Sequence, residues 1–119
     1  MASLRAIQHV SIEVDDLDAA RTFYIERLGM RSIDRPDLGV GGEWLTVDGT
    51  TQLHIVEVDG FAGTSAGHHF AFEVDDVGAL VEELRAGGVD AGDVFDVGAG
   101  QQSFVRDPAG NLVEFNQPA

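Results

Sequence analysis

The chain has 119 residues, 44% of them hydrophobic, enough for one domain with a real core and little room for a second. Twenty-one acidic residues face seven basic ones, all arginine, for a net charge of −14, a balance that repels nucleic acid and anionic membranes and discounts both as partners. No apolar run approaches the ~18 residues of a membrane span, the N-terminus has no signal-peptide core, and there is no cysteine; a cytoplasmic location is expected and thiolate metal sites are excluded.

Ile7 to Val14 alternates apolar and polar residues and reads as a strand, with Val10, Ile12 and Val14 on one side and His9, Ser11 and Glu13 on the other. Asp15-Asp16 supplies a helix N-cap. Leu17, Ala20, Phe23, Tyr24 and Leu28 follow at helical spacing, and Gly29 stops the helix. Arg31 to Asp34 is a short strand that runs into the turn-rich Arg35-Pro36-Asp37-Leu38-Gly39. Gly42 to Asp48 and Thr51 to Val58 form a hairpin with Asp48-Gly49 at its turn. The glycine-rich stretch Asp59 to Ala66 reads as a linker.

The second half repeats this plan. His69 to Val74 is a strand with Phe70, Phe72 and Val74 toward the core, and Asp75-Asp76 caps a helix through Val77, Leu80, Val81 and Leu84 that Gly87-Gly88 stops. Val89 to Asp96 holds one weak strand, and Gln102 to Arg106 pairs with Asn111 to Asn116 around the turn Asp107-Pro108-Ala109-Gly110. Sliding the chain along itself by 60 places superposes His9 on His69, Glu13 on Glu73, Val14-Asp15-Asp16 on Val74-Asp75-Asp76, and His54 on Glu114. Such a fixed-period match reveals the building unit. The expected fold is therefore α+β: two tandem βαβββ modules, about 4–58 and 68–117, joined by a linker at about 59–67 and paired about a pseudo-twofold axis.

Strand alternation places His9 and His69 on the faces turned away from the helices. His54 shares its face with Gln52 and Val56, and Glu114 shares its face with Leu112 and Asn116. With the helix-free faces together, His9, His54, His69 and Glu114 converge on one cleft. Three imidazoles and a carboxylate suit a divalent transition metal (Zn, Ni, Co, Mn or Fe), with positions left open for water or substrate. A lone strand histidine is more often structural, but three of the four histidines fall in this pattern. His68 points to the opposite face, and Glu13, Glu73 and Glu57 read as solvated. Trp44 and Phe104 occupy matching places in the two halves and read as core or cavity wall.

The phrases Gln8-His9-Val10 with Val14-Asp15-Asp16, Phe23-Tyr24 through Leu28-Gly29-Met30, and Asp107-Pro108-Ala109-Gly110-Asn111-Leu112-Val113-Glu114-Phe115 carry a family resemblance from about Leu4 to Gln117. The chain resembles the vicinal oxygen chelate superfamily, the glyoxalase, bleomycin-resistance and extradiol-dioxygenase proteins. The resemblance implies an open cup-like mixed sheet, usually in a homodimer, with a divalent metal that chelates vicinal oxygens of a small-molecule substrate. It carries the ligand positions onto His9, His54, His69 and Glu114. The glyoxalase I pattern has Glu, and the methylmalonyl-CoA epimerase pattern Gln, where this chain has His54.

The function expected is that of a metal-dependent glyoxalase-like isomerase or lyase, the metal acting as Lewis acid. Glu114 is both ligand and proton shuttle, and Glu43 is a second candidate base that resembles the extra glutamate of the epimerase branch. One alternative is an Fe(II) extradiol-type dioxygenase built on His9, His69 and Glu114. Another is a non-catalytic resistance protein that binds a drug or metabolite. Residues that select the substrate are expected in Arg35 to Gly42 and Asp96 to Gln101.

Overall fold

The computed structural model describes residues 2–119, and the chain divides into two compact units, one ending at Phe61 and the other Ala62–Ala119. In the first, β1 (His9–Val14) leads into α1 (Leu17–Arg21), followed by β2 (Arg31–Ile33), β3 (Gly42–Thr46) and β4 (Gln52–Glu57). In the second, β5 (His69–Glu73) leads into α2 (Val77–Ala86), followed by β6 (Phe95–Asp96), β7 (Gly100–Arg106) and β8 (Leu112–Pro118). Each unit builds one four-stranded mixed sheet, in the orders β1-β4-β3-β2 and β5-β8-β7-β6. The first strand of each runs parallel to the last, and the other pairs are antiparallel. The connection from first strand to last passes through a helix, as a parallel pair requires.

Both helices start in the same way. Asp16 and Asp76 accept from the backbone N–H of Ala19 and Ala79 at 3.1 and 3.0 Å, the expected N-caps. The N–H of the first helical residue is met from the last strand: Leu17 donates to Glu57 at 3.2 Å, and Val77 donates to Gln117 at 2.9 Å. These partners stand at the same 60-residue offset as the helices they cap. Glu57, expected as a solvated residue, is therefore a helix-capping group.

Beyond Arg21 the first helix widens into a π-helical segment, Thr22–Arg27, where the Leu28 N–H reaches back to the Phe23 carbonyl at 3.1 Å. The expected stop at Gly29 holds, with φ +79°. Phe23 and Tyr24 are both buried here, against a core that includes Val14, Leu45 and Ile55. The second core gathers Val77, Val81, Leu84, Val105, Val113 and Phe115. Strand β1 is shorter than the alternation predicts. Its ladder begins at His9 opposite Gln52, so Ile7 has no strand partner and stays exposed. No helix among the described residues is long and apolar enough to cross a membrane.

Candidate functional site

Register fixes what each sheet presents on its helix-free face. In the first unit Ser11 lies opposite His54 on one side and Trp44 lies opposite His54 on the other. His54 is thereby sandwiched: its ring stacks on Trp44 at 4.1 Å and 4°, and on His9 at 4.0 Å and 15°. Gln52 Oε1 lies 2.7 Å from His54 Nε2, and Gln8 Oε1 lies 2.5 Å from His9 Nδ1. When Nε2 donates to this amide oxygen, Nδ1 of His54 keeps the free lone pair. Burial, then the neighbouring His9, then Arg35 all hold the His54 pKa below its usual value.

In the second unit His69 Nε2 approaches Glu114 Oε1 at 3.2 Å. Glu114 is 8% exposed, and its Oε2 accepts from Asn116 Nδ2 at 3.2 Å. Phe104, opposite Glu114 in the β7–β8 register, meets His69 edge-on at 5.6 Å and stacks on Phe95 at 6.1 Å. Trp44 and Phe104 are thus walls of the two ligand pairs, at the offset of the repeat. A two-residue turn at Asp48-Gly49 would set Trp44 opposite Leu53; the five-residue loop over 47–51 sets it opposite His54 instead, so the turn motif does not find this pair. Gln52 and Asn116 follow from alternation, two residues from His54 and Glu114 on the same strands, whereas Gln8 carries no sequence signal of its own.

Glu43 lies elsewhere. It is one residue from Trp44 and so on the opposite, helix-facing side of β3, where it sits opposite Ile55. Arg21 donates to it from Nε at 2.6 Å, Ser32 donates at 3.3 Å, and this bond, led by Glu43, raises the Arg21 pKa further. The structure does not bring Glu43 to the histidines. His68 donates its backbone N–H to Ser65 in the turn before β5 and is exposed; Glu13 and Glu73 are exposed on the histidine-bearing faces.

The metal expected from the donor set can be tested against these two pairs. Two donors bound to one ion at ~2.1 Å stand about 3.0–3.4 Å apart for angles between octahedral and tetrahedral. His69 Nε2 and Glu114 Oε1, at 3.2 Å, fit that spacing; the same approach makes an ion pair when His69 is protonated. The His9 and His54 rings do not fit as they stand. Their in-plane lone pairs lie in nearly parallel planes, so a stack presents one imidazole to an ion and not two. Among the described residues no group of three or more His, Asp or Glu is gathered for a metal.

The sequence model of the Glyoxalase/Bleomycin resistance protein/Dioxygenase superfamily matches residues 6–115. The chain belongs to this superfamily. It is 32% identical to the lactoylglutathione lyase of Haemophilus influenzae, with 92% of this chain and 90% of that protein aligned. It is 34% identical to lactoylglutathione lyase GLX1 of Arabidopsis thaliana over 95% of this chain, and there it spans only 44% of the relative's length. Among solved structures, TnmS3, an antibiotic binding protein from Streptomyces sp. CB03234, superposes with a TM-score of 0.84 at 25% identity, each chain fully covered. The chain is thus similar both to lactoylglutathione lyases and to an antibiotic binding protein.

Proposed function

We propose that this chain is a divalent-metal-dependent, glyoxalase-like enzyme of isomerase or lyase type, acting on a small substrate with vicinal oxygens. The approach of His69 Nε2 to Glu114 Oε1 at 3.2 Å carries this reading, supported by the lactoylglutathione lyases to which the chain is similar. His69 and Glu114 would hold the ion, one of Zn, Ni, Co, Mn or Fe. His9 and His54, the further donors of the expected set, would each have to turn out of the stack to reach it. The bound ion supplies Lewis acidity toward the substrate's paired oxygens. Glu114 would also serve as the proton shuttle, with Asn116 donating to Oε2 and fixing the carboxylate plane. A homodimer is proposed from the superfamily resemblance.

The test is metal content by mass spectrometry on protein purified without chelator and then soaked with each ion. About one equivalent is expected, and His69→Ala should lose it, because a two-donor anchor reduced to one retains little affinity. Less than about 0.1 equivalent of every ion would sink the enzyme reading. A second reading, a binding protein for a flat ligand, is favoured by the exposed end of the His9–His54–Trp44 stack and by the likeness to TnmS3. Metal-free protein that binds an aromatic ligand, with no turnover of 2-oxoaldehydes, catechols or acyl-CoA substrates when loaded, would select it.

A further inference from the structure

Seven arginines serve a chain with 21 acidic residues; Arg5, Arg27 and Arg31 make no ion pair among the described residues but are exposed, so the informative arginine is one withdrawn from water without a carboxylate partner. Arg21 pairs with Asp18 and Glu43, and Arg85 pairs with Asp93. Arg106 donates to the carbonyls of Thr64 and Gly110. Arg35 is different. It is half-buried, it makes no ion pair among the described residues, and its Nε is covered and has no hydrogen-bond partner. One bond holds it, from Nη2 to the Val40 carbonyl at 3.0 Å. The carboxylates beside it in sequence do not answer it; Asp37 accepts from the Gly39 N–H instead.

Its position is tied to the sheet, since β2 ends at Ile33, opposite Trp44 and two residues before Arg35. Gly42, two residues before Trp44 on the same face, has no side chain, and the Arg35 guanidinium occupies the space. A Cβ on Gly42 would meet the Ile55 carbonyl oxygen first and would stand 2.7 Å from Nη2 and 2.8 Å from Cζ of Arg35. A positive charge partly withdrawn from water without a counter-ion is costly, and partly buried polar groups left without partners call for an explanation.

We propose that Arg35 is the anion-binding residue of the first unit, and that the ligand is a small carboxylate whose flat body lies against the Trp44–His54–His9 stack. With Nε covered, the Nη1–Nη2 end of the guanidinium is the edge that takes a carboxylate, and the stack matches a conjugated or aromatic group attached to it. This deepens the proposed function by naming the substrate class. It rests on the reading that substrate lies on the histidine face, and it requires no metal.

Trp44 is the chain's one tryptophan, so intrinsic fluorescence reports on this face alone. Metal-free protein, kept in chelator, is titrated with phenylglyoxylate and with its neutral methyl ester. The two share ring and vicinal oxygens and differ in charge. The acid should bind about tenfold or more tighter than the ester, the usual scale of a hydrogen bond to a charged group. Arg35→Gln should bring the two affinities together, Arg35→Lys should keep part of the preference, and Arg27→Gln, an exposed charge removed elsewhere, should leave it intact. Equal affinities in the wild-type protein overturn the proposal, as does a preference that survives Arg35→Gln. If the Gln variant fails to fold by circular dichroism, the wild-type acid-to-ester ratio and the Lys variant decide. Metal retention fails or succeeds independently, so a collapse of the metal reading is told apart from a collapse of this one.

Discussion

His54 shows how far one side chain's neighbours can fix its chemistry. Between Trp44 and His9, with Gln52 on Nε2, it is held as a neutral ring, and burial is the main reason its pKa falls. The consequence for stability has a definite sign. In the unfolded chain an imidazole takes a proton near pH 6.5. The folded ring resists until a lower pH, so between the two values the unfolded state binds more protons and folding loses free energy. Stability from this group is therefore complete above about pH 6.5, declines as the pH falls through the folded pKa, and is level below it. In chelated protein, the drop in melting temperature between pH 7.5 and 5.0 should be smaller in His54→Gln than in the wild-type protein, since other groups titrate alike in both. Parallel curves would refute the assignment. Glu43 teaches the complementary lesson. Its neighbours are Arg21 and Ser32, which makes it a strut between β3 and α1 and takes it out of the chemistry.

At the scale of the element, the repeat preserves a construction more faithfully than a sequence. Glu57 and Gln117 differ in charge, yet each meets the first N–H of its helix from the end of the last strand. The N-cap aspartates leave that donor unanswered, since they bind the third residue. Glu57→Ala and Gln117→Ala should each cost about 1 kcal/mol in urea unfolding, the usual value of a lost helix cap. Glu57→Gln should cost only a few tenths, as the loss of one favourable charge near a helix N-terminus, because an amide already does this work in the second unit. A Gln substitution as damaging as Ala would mean that charge, not the hydrogen bond, matters at Glu57. The caps Asp16 and Asp76, the stop at Gly29 and both hairpin turns were legible because they depend on residues adjacent in the chain. Glu57 and Gln117 were not, because their partners lie 40 residues away and only the folded sheet delivers them. The His–Glu pair of the second unit was legible from alternation plus the repeat. The first unit's stack was not, because stacking depends on cross-strand register, and the phase of Gly42-Glu43-Trp44-Leu45 is set by the hairpin turn and not by its own pattern. The π-helical segment was hidden for a similar reason: the apolar spacing from Leu17 to Leu28 satisfies an ordinary helix equally well.

At the scale of the whole molecule, the governing quantity is charge. Both units carry the excess: the first has eleven acidic residues and five arginines, the second ten and two, so their net charges are −6 and −8. Few ion pairs offset it among the described residues, and those of Arg21 and Arg85 are solvent-exposed on at least one side. Such pairs contribute little each. Self-repulsion then opposes the compact state, and it reaches across a domain of this size at low salt, where the screening length is ~30 Å at 0.01 M, against ~10 Å at 0.1 M. Raising sodium chloride from 0.01 to 0.3 M should therefore raise the melting temperature by several degrees, on the rule that ~1 kcal/mol shifts a domain of this size by roughly 4 °C. Screening saturates once its length falls below the spacing of surface charges, whereas exclusion of strongly hydrated salts continues to act at higher concentration. Chloride and sulfate at equal ionic strength should consequently act alike below about 0.2 M and diverge above it. A melting temperature that is flat or falling over the dilute range would show that local pairing already balances the acidic surface.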